Sequence, residues 1–112
     1  MRLRMLIAVL AAALSAFTTV AVVSAPADAA TLHTWKRLAQ CEASGRWHIN
    51  TGNGYYGGLQ ISRSTWHAYG GGKYAALPHR ATPREQIRIG EKIRRNQGWG
   101  AWPSCSRRLH LR

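Results

Sequence analysis

Carboxylates are the groups this chain could use for acid–base chemistry, and it has few of them. Of four acidic residues in 112, Asp28 falls in an N-terminal stretch of leader composition, which leaves Glu42, Glu85 and Glu91. Glu42 lies in Cys41-Glu42-Ala43-Ser44-Gly45-Arg46-Trp47. It ends a stretch in which Trp35, Leu38, Ala39 and Glu42 follow the i, i+3, i+4, i+7 spacing of one helix face. On such a stripe, burial and the negative end of the helix dipole both disfavour the charged form. That is the setting of a carboxylic acid kept protonated near neutral pH. Spacing alone serves equally well a glutamate at the rim of the stripe, paired to one of the many arginines.

The other two glutamates have simpler accounts. Thr82-Pro83-Arg84-Glu85 has the form of a helix start: Thr as N-cap, Pro at the first helical position and Glu closing a capping box. Glu91 reads as a solvated partner of Arg88, Arg94 or Arg95 on the helix surface. Glycoside cleavage ordinarily takes two carboxylates, one as acid and one as base or nucleophile, and here the second is missing. The remaining route is one acid/base glutamate with the N-acetyl group of the substrate assisting at the anomeric carbon, a recognised exception. It points to an N-acetylated sugar polymer, which for an exported bacterial protein means peptidoglycan. Other chemistries fit poorly. His33, His48, His67, His79 and His110 are scattered without metal-ligand spacing. No Ser-His-acid set, glycine-rich phosphate loop or nucleic-acid motif is legible. The expectation is therefore no metal, no cofactor and no nucleic-acid partner.

These side chains must be positioned by a short chain. Residues 1–30 read as a secretory signal peptide, with Arg2 and Arg4, an apolar run from Leu6 to Phe17, and Ala27-Asp28-Ala29 before a cut after Ala29 or Ala30. The domain then spans 31–106, with 107–112 a basic tail, and Ser106 to Arg112 is expected to be disordered. A domain of this size buries only a modest fraction of its surface. Cys41 and Cys105 both lie in it, and export favours their oxidation to a disulfide. Without Arg2, Arg4 and Asp28 the chain keeps 14 Lys+Arg against three Glu, a net charge of +11. Such a field favours anionic surroundings, and for a secreted, extracellular protein these are cell-wall polymers.

Thr34 to Glu42 is expected as a first helix with Thr34 as N-cap, and Asn53-Gly54 as a type I′ hairpin turn. Gly57-Gly58 would admit another backbone or a ligand at close range. Ser62 is expected to cap a second helix through Tyr69, stopped by Gly70. A third runs from the Thr82 cap to Asn96 or Gln97, with Ile87, Gly90 and Ile93 on one face and Gly98 at its end. Trp99 to Cys105 reads as an aromatic loop. Five tryptophans exceed what so small a core needs. Two or three are assigned to the core, Trp35 first, and the rest to a face that stacks on sugar rings or bases.

The blocks Cys41-Glu42, Asn50-Thr51-Gly52-Asn53-Gly54-Tyr55-Tyr56-Gly57-Gly58-Leu59-Gln60, Ser64-Thr65-Trp66, Ala81-Thr82-Pro83-Arg84-Glu85-Gln86-Ile87 and Gln97-Gly98-Trp99-Gly100-Ala101-Trp102-Pro103-Ser104-Cys105 resemble the catalytic domain of resuscitation-promoting factors, a transglycosylase-like, lysozyme-like family of actinobacterial secreted proteins. The resemblance covers residues 33 to 106. It implies a small α+β lysozyme-like fold, mainly short helices with a small β-hairpin and one disulfide, matched by Cys41 and Cys105. It implies a catalytic glutamate after the first cysteine, Glu42, and cleft residues Gln60, Thr65, Gln97 and Trp102, with Tyr55, Tyr56 and Trp66 as further candidates. The implied activity is muralytic: cleavage between N-acetylmuramic acid and N-acetylglucosamine, in wall remodelling and regrowth. The implied partners are glycan strands and other wall hydrolases, and the implied state is a monomer. The family pattern after the glutamate is Ser-Gly-Gly-Asn, whereas this chain has Ala43-Ser44-Gly45-Arg46. Ser44 is costly there if the position needs positive φ, and Arg46 would bring a cation near Glu42 and lower its pKa. The alternative is therefore a catalytically weak or inactive wall-glycan-binding or signalling protein.

Overall fold

Helix α1 spans Leu32–Ala43, and its cap is Thr31, whose hydroxyl accepts the Thr34 backbone N–H. The cap thus lies three residues before the expected Thr34, because Thr31 takes the extended backbone while Thr34 is already helical. The described structure is a computed structural model and covers residues 29–112; the expected signal peptide lies outside it apart from Ala29 and Ala30. Trp35, Leu38, Ala39 and Ala43 bury one face of α1.

Strands β1, Tyr55–Tyr56, and β2, Ile61–Ser62, pair antiparallel, Tyr55 opposite Ser62 and Tyr56 opposite Ile61. The turn between the two strands is therefore 57–60; Asn53-Gly54 lies in a separate reversal of the chain, 51–55, closed by the antiparallel bridge of Asn50 to Tyr56, and Asn53 lacks the positive φ of a type I′ turn. Asn53 instead closes a local turn, accepting the Tyr55 N–H on its own side-chain oxygen at 3.0 Å. Gly57 and Gly58 admit side chains and not a ligand. A Cβ at Gly58 would lie 2.4 Å from the Trp47 ring, and one at Gly57 2.5 Å from the Gln86 amide oxygen.

Ser62 caps α2, Arg63–Ala68, and Gly70 follows in the left-handed region at φ 89°. Two 3-10 turns, Gly71–Lys73 and Pro78–Arg80, lead to α3, Pro83–Gln97. Its capping box has both halves in place: Glu85 N–H to the Thr82 hydroxyl, and Thr82 N–H to the Glu85 carboxylate. The buried face of α3 is Gln86, Ile89, Gly90 and Ile93, so Ile89 takes the place expected for Ile87, which is only half-buried. Gln86 is fully buried and fully bonded, accepting from Gly58 N–H and donating to the Trp47 and Ala81 carbonyls. It ties the hairpin turn to α3.

The chain after Gly98 forms a 3-10 turn, Trp99–Ala101, and then α4, Pro103–Arg108. Here the expected loop gives way to helix, and the tail, expected to be disordered, is helical to Arg108 and then turns back onto the core. Ser106 is buried, and Leu109 and Leu111 pack on the core. Disulfide Cys41–Cys105 joins α4 to α1. The core centres on Trp35, which meets Trp99 at 5.1 Å and Trp102 edge-on at 5.4 Å between ring centroids. Trp35, Trp66, Trp99 and Trp102 are all buried and Trp47 partly so. The assignment of surplus tryptophans to a stacking surface is thus overturned: this core uses nearly all of them. The result is a small α+β domain of short helices, a two-stranded sheet and one disulfide. Among the described residues its core lies between Ala30 and Leu111.

Candidate active site

Glu42 stands in the last turn of α1, where Ser44 stops the helix in the left-handed region at φ 54°. The carboxyl is half-buried, and burial raises its pKa above the ordinary value of 4.5, with Arg108 pulling the other way. The opposing cation is therefore not the expected Arg46, whose Nε turns back to donate to the Ala43 carbonyl at 3.3 Å. Arg108 arrives from α4, three residues after Cys105, and its Nη1 lies 3.9 Å from the Cys41 sulfur. The disulfide thus sets both the acid and its neighbouring charge.

Beside Glu42 opens a groove lined by Tyr55, Gln60, Ala101, Trp102 and Pro103. Tyr55, Gln60, Ala101 and Trp102 also line the next lobe, which continues to Ile61, Ser62, Thr65, Ile93 and Gln97. Of the expected residues, Glu42, Tyr55, Gln60, Thr65, Gln97 and Trp102 therefore share one groove, brought together from α1, the hairpin, α2, α3 and the turn before α4. Glu85 and Glu91 are held elsewhere, by the cap and by Arg94 respectively.

Each lining residue is fixed by its own local structure. Tyr55 is half-exposed at the start of β1. Gln60 holds φ 52°, a region a non-glycine residue enters at a cost and one that clusters at functional sites. Its side-chain Nε2 donates to the Gly57 carbonyl at 3.0 Å, and Asn53 donates to its Oε1 at 3.4 Å. Gln97 donates to the Tyr69 hydroxyl at 3.0 Å, which donates to Asn96. Trp102 is 4% exposed, and its indole N–H donates to the Leu59 carbonyl at 2.8 Å. It walls the groove and offers no open face.

Two expected cleft residues do not belong to it. Trp66 is fully buried, with its indole N–H on the Ala75 carbonyl at 2.8 Å. Tyr56 stacks on His79 at 5.4 Å and lies outside both lobes. β-strand alternation explains the split: Tyr55 and Tyr56 must face opposite ways, and only Tyr55 faces the groove. Ala101 and Pro103 line the groove without having been singled out; their signal was their place beside Trp102, in the block carrying the resemblance.

A transglycosylase-like domain profile matches residues 29–105. The chain is 54% identical over 103 residues to resuscitation-promoting factor Rpf1 of Corynebacterium glutamicum, covering 91% of this chain and 53% of that protein. It is 57% identical over 88 residues to resuscitation-promoting factor Rpf of Micrococcus luteus, covering 79% and 38%. It is 51% identical over 86 residues to resuscitation-promoting factor RpfA of Mycobacterium tuberculosis, covering 77% and 21%. The chain thus spans about half or less of these relatives' length. With its α+β fold, its disulfide and this groove, the chain belongs to the transglycosylase-like domain family.

Proposed function

We propose that this protein is a secreted enzyme that cleaves peptidoglycan between N-acetylmuramic acid and N-acetylglucosamine. The observation that carries the reading is a half-buried glutamic acid with a raised pKa at one end of a groove of polar and aromatic side chains, no second glutamate lining it. A carboxyl whose protonated form is favoured suits general acid catalysis near neutral pH. Glu42 protonates the glycosidic oxygen and the muramyl N-acetyl group assists at the anomeric carbon, as a site with one acid requires. Glu42 then serves as base toward water or the sugar 6-hydroxyl. Gln60, Thr65 and Gln97 supply amides and a hydroxyl that suit sugar hydroxyls and N-acetyl groups, and Tyr55 is the exposed ring available to stack on a sugar face. The names of the relatives, all resuscitation-promoting factors, support a role in wall remodelling at regrowth. The excess of cations supports attachment to anionic wall polymers, and other wall hydrolases are the expected collaborators of a monomeric enzyme. A weak or inactive binder loses part of its motive, because Arg46 turns away to the Ala43 carbonyl.

Clearing of a suspension of purified wall tests the mechanism. Glu42→Gln should abolish clearing while the protein melts at the same or higher temperature. The raised pKa means that the stabilising form of Glu42 is the protonated one, present below the ordinary 4.5 and lost as pH rises through the raised value. A permanently neutral Gln therefore carries no such loss at neutral pH. A folded Glu42→Gln protein that clears wall as fast as the parent refutes the mechanism. Mass spectrometry of the released muropeptides distinguishes a hydrolytic from a 1,6-anhydro product.

A further inference from the structure

Glu91 was expected to be a surface partner of an arginine, and it does more. Its Oε1 accepts from Arg94 Nε at 3.2 Å, while Oε2 accepts from the Trp35 indole at 3.3 Å and from the backbone nitrogen of Ala30 at 2.9 Å. Both side chains of the Arg94 pair are largely buried, at 16% and 14% exposure. Trp35 is fully buried at the centre of the core, and Ala30 packs against that core. A carboxylate 61 residues away thus grips the chain one residue before the Thr31 cap that starts α1.

Ala30 is also the residue exposed by a cut after Ala27-Asp28-Ala29, the small-residue pattern of leader cleavage. We infer that Glu91 is a receptor for the α-ammonium of the processed chain, and that the chain is cut between Ala29 and Ala30. The inference rests on the export reading above. Before cleavage the nitrogen is an amide with one proton and no charge. After cleavage it is an ammonium, and the contact becomes a charge-assisted hydrogen bond, roughly twice as strong as a neutral one.

The surroundings make the carboxylate necessary. The positive end of the α1 dipole opposes a cation at this position, and Arg84 and Arg88 line the surface hollow that Ala30 shares with Leu32, Trp35 and Ile87. Among the described residues, Glu91 is the one carboxylate on that nitrogen. A cut one residue later, after Ala30, would remove the donor and set the new charge on the helix cap itself. The geometry therefore chooses between the two cuts that the leader sequence allows. It also adds a second staple to the disulfide, one whose charged form arises only on cleavage.

The test uses the chain beginning at Ala30, which contains the core formed by the described residues, in four forms: free amine or Nα-acetylated, each with Glu91 or with Glu91→Gln. Melting is followed at about pH 6, below the ordinary α-amino range of about 7.7–8.0. Glu91→Gln should lower the melting temperature further in the free-amine protein than in the acetylated one, by about 4 °C, the smallest shift expected for a 1 kcal/mol coupling in a domain of this size. Equal losses in the two backgrounds overturn the inference. In parallel, the full chain is expressed in an actinobacterial host and the protein in the medium is sequenced from its N-terminus. Ala30 is the expected first residue. Another start overturns this inference alone, while a chain retained uncut in the cell overturns the export reading with it.

Discussion

Breaking the Cys41–Cys105 bridge should cost this domain about a third or more of its stability. The cysteines are 64 residues apart, and a loop of that length gives about 4 kcal/mol by chain entropy. A domain of about 83 residues has a total of roughly 4–12 kcal/mol. At about 4–8 °C for each kcal/mol, the loss corresponds to a melting temperature lower by about 15–30 °C. The replacement should be Cys41→Ala with Cys105→Ala, since Cys105 is 6% exposed and a serine hydroxyl there would add an unpaired polar group to the core. Far-ultraviolet circular dichroism on heating, for the double variant and for the parent with and without reductant, reads the effect. A loss below about 5 °C would refute the reasoning, because it would mean that the unfolded chain gains almost no freedom from a loop closing most of the domain.

Two other perturbations act at the Glu42 end of α1. Ser44 sits at φ 54°, a region where a side chain costs about 1 kcal/mol or more; Ser44→Gly should raise stability by about 0.5–1 kcal/mol after glycine's own entropy is counted, and an unchanged or lower denaturation midpoint argues against it. Arg108 lowers the pKa of Glu42 against the upward push of burial, so Arg108→Gln should shift the alkaline limb of the wall-clearing pH profile to higher pH. Added salt should shift the parent in the same direction and the variant less; a limb that stays put or moves down sinks the assignment.

What the sequence made legible was local. The Thr82–Glu85 capping box, the Ser62 cap and the glycine stops at Gly70 and Gly98 depend on neighbours three or four residues apart, and they stand where the pattern put them. The errors arose where a competing contact, near or far in sequence, overruled the local signal. Thr34 is a capable N-cap, but the grip of Glu91 on Ala30 and of the core on Trp35 lets the helix begin at Leu32. Asn53-Gly54 does turn the chain, between the bridged Asn50 and Tyr56, but the two-stranded sheet is made by the pairing of Tyr55–Tyr56 with Ile61–Ser62 around a second turn. Trp66 shares a block with groove-lining Thr65, yet one residue along α2 turns it about 100° away and into the core.

The place of Glu42 was legible in the sequence, and that of its cationic neighbour was not. Helical spacing is a local property, and it placed Glu42 on the buried stripe of α1. Which charge faces it depends on α4, 60-odd residues further on, held against α1 by the disulfide. Arg46 is near in sequence, but the left-handed turn at Ser44 and Gly45 swings the chain around so that its guanidinium returns to Ala43. Arg108 is remote in sequence, but its place in the helix that starts at Pro103 brings it to the Cys41 sulfur. The turn that costs Ser44 conformational strain is thus what keeps the nearer cation off Glu42, leaving an exposed arginine on α4 as the charge that opposes burial. An exposed cation is screened by solvent and salt, so desolvation outweighs it and the pKa of the carboxyl stays above its ordinary value.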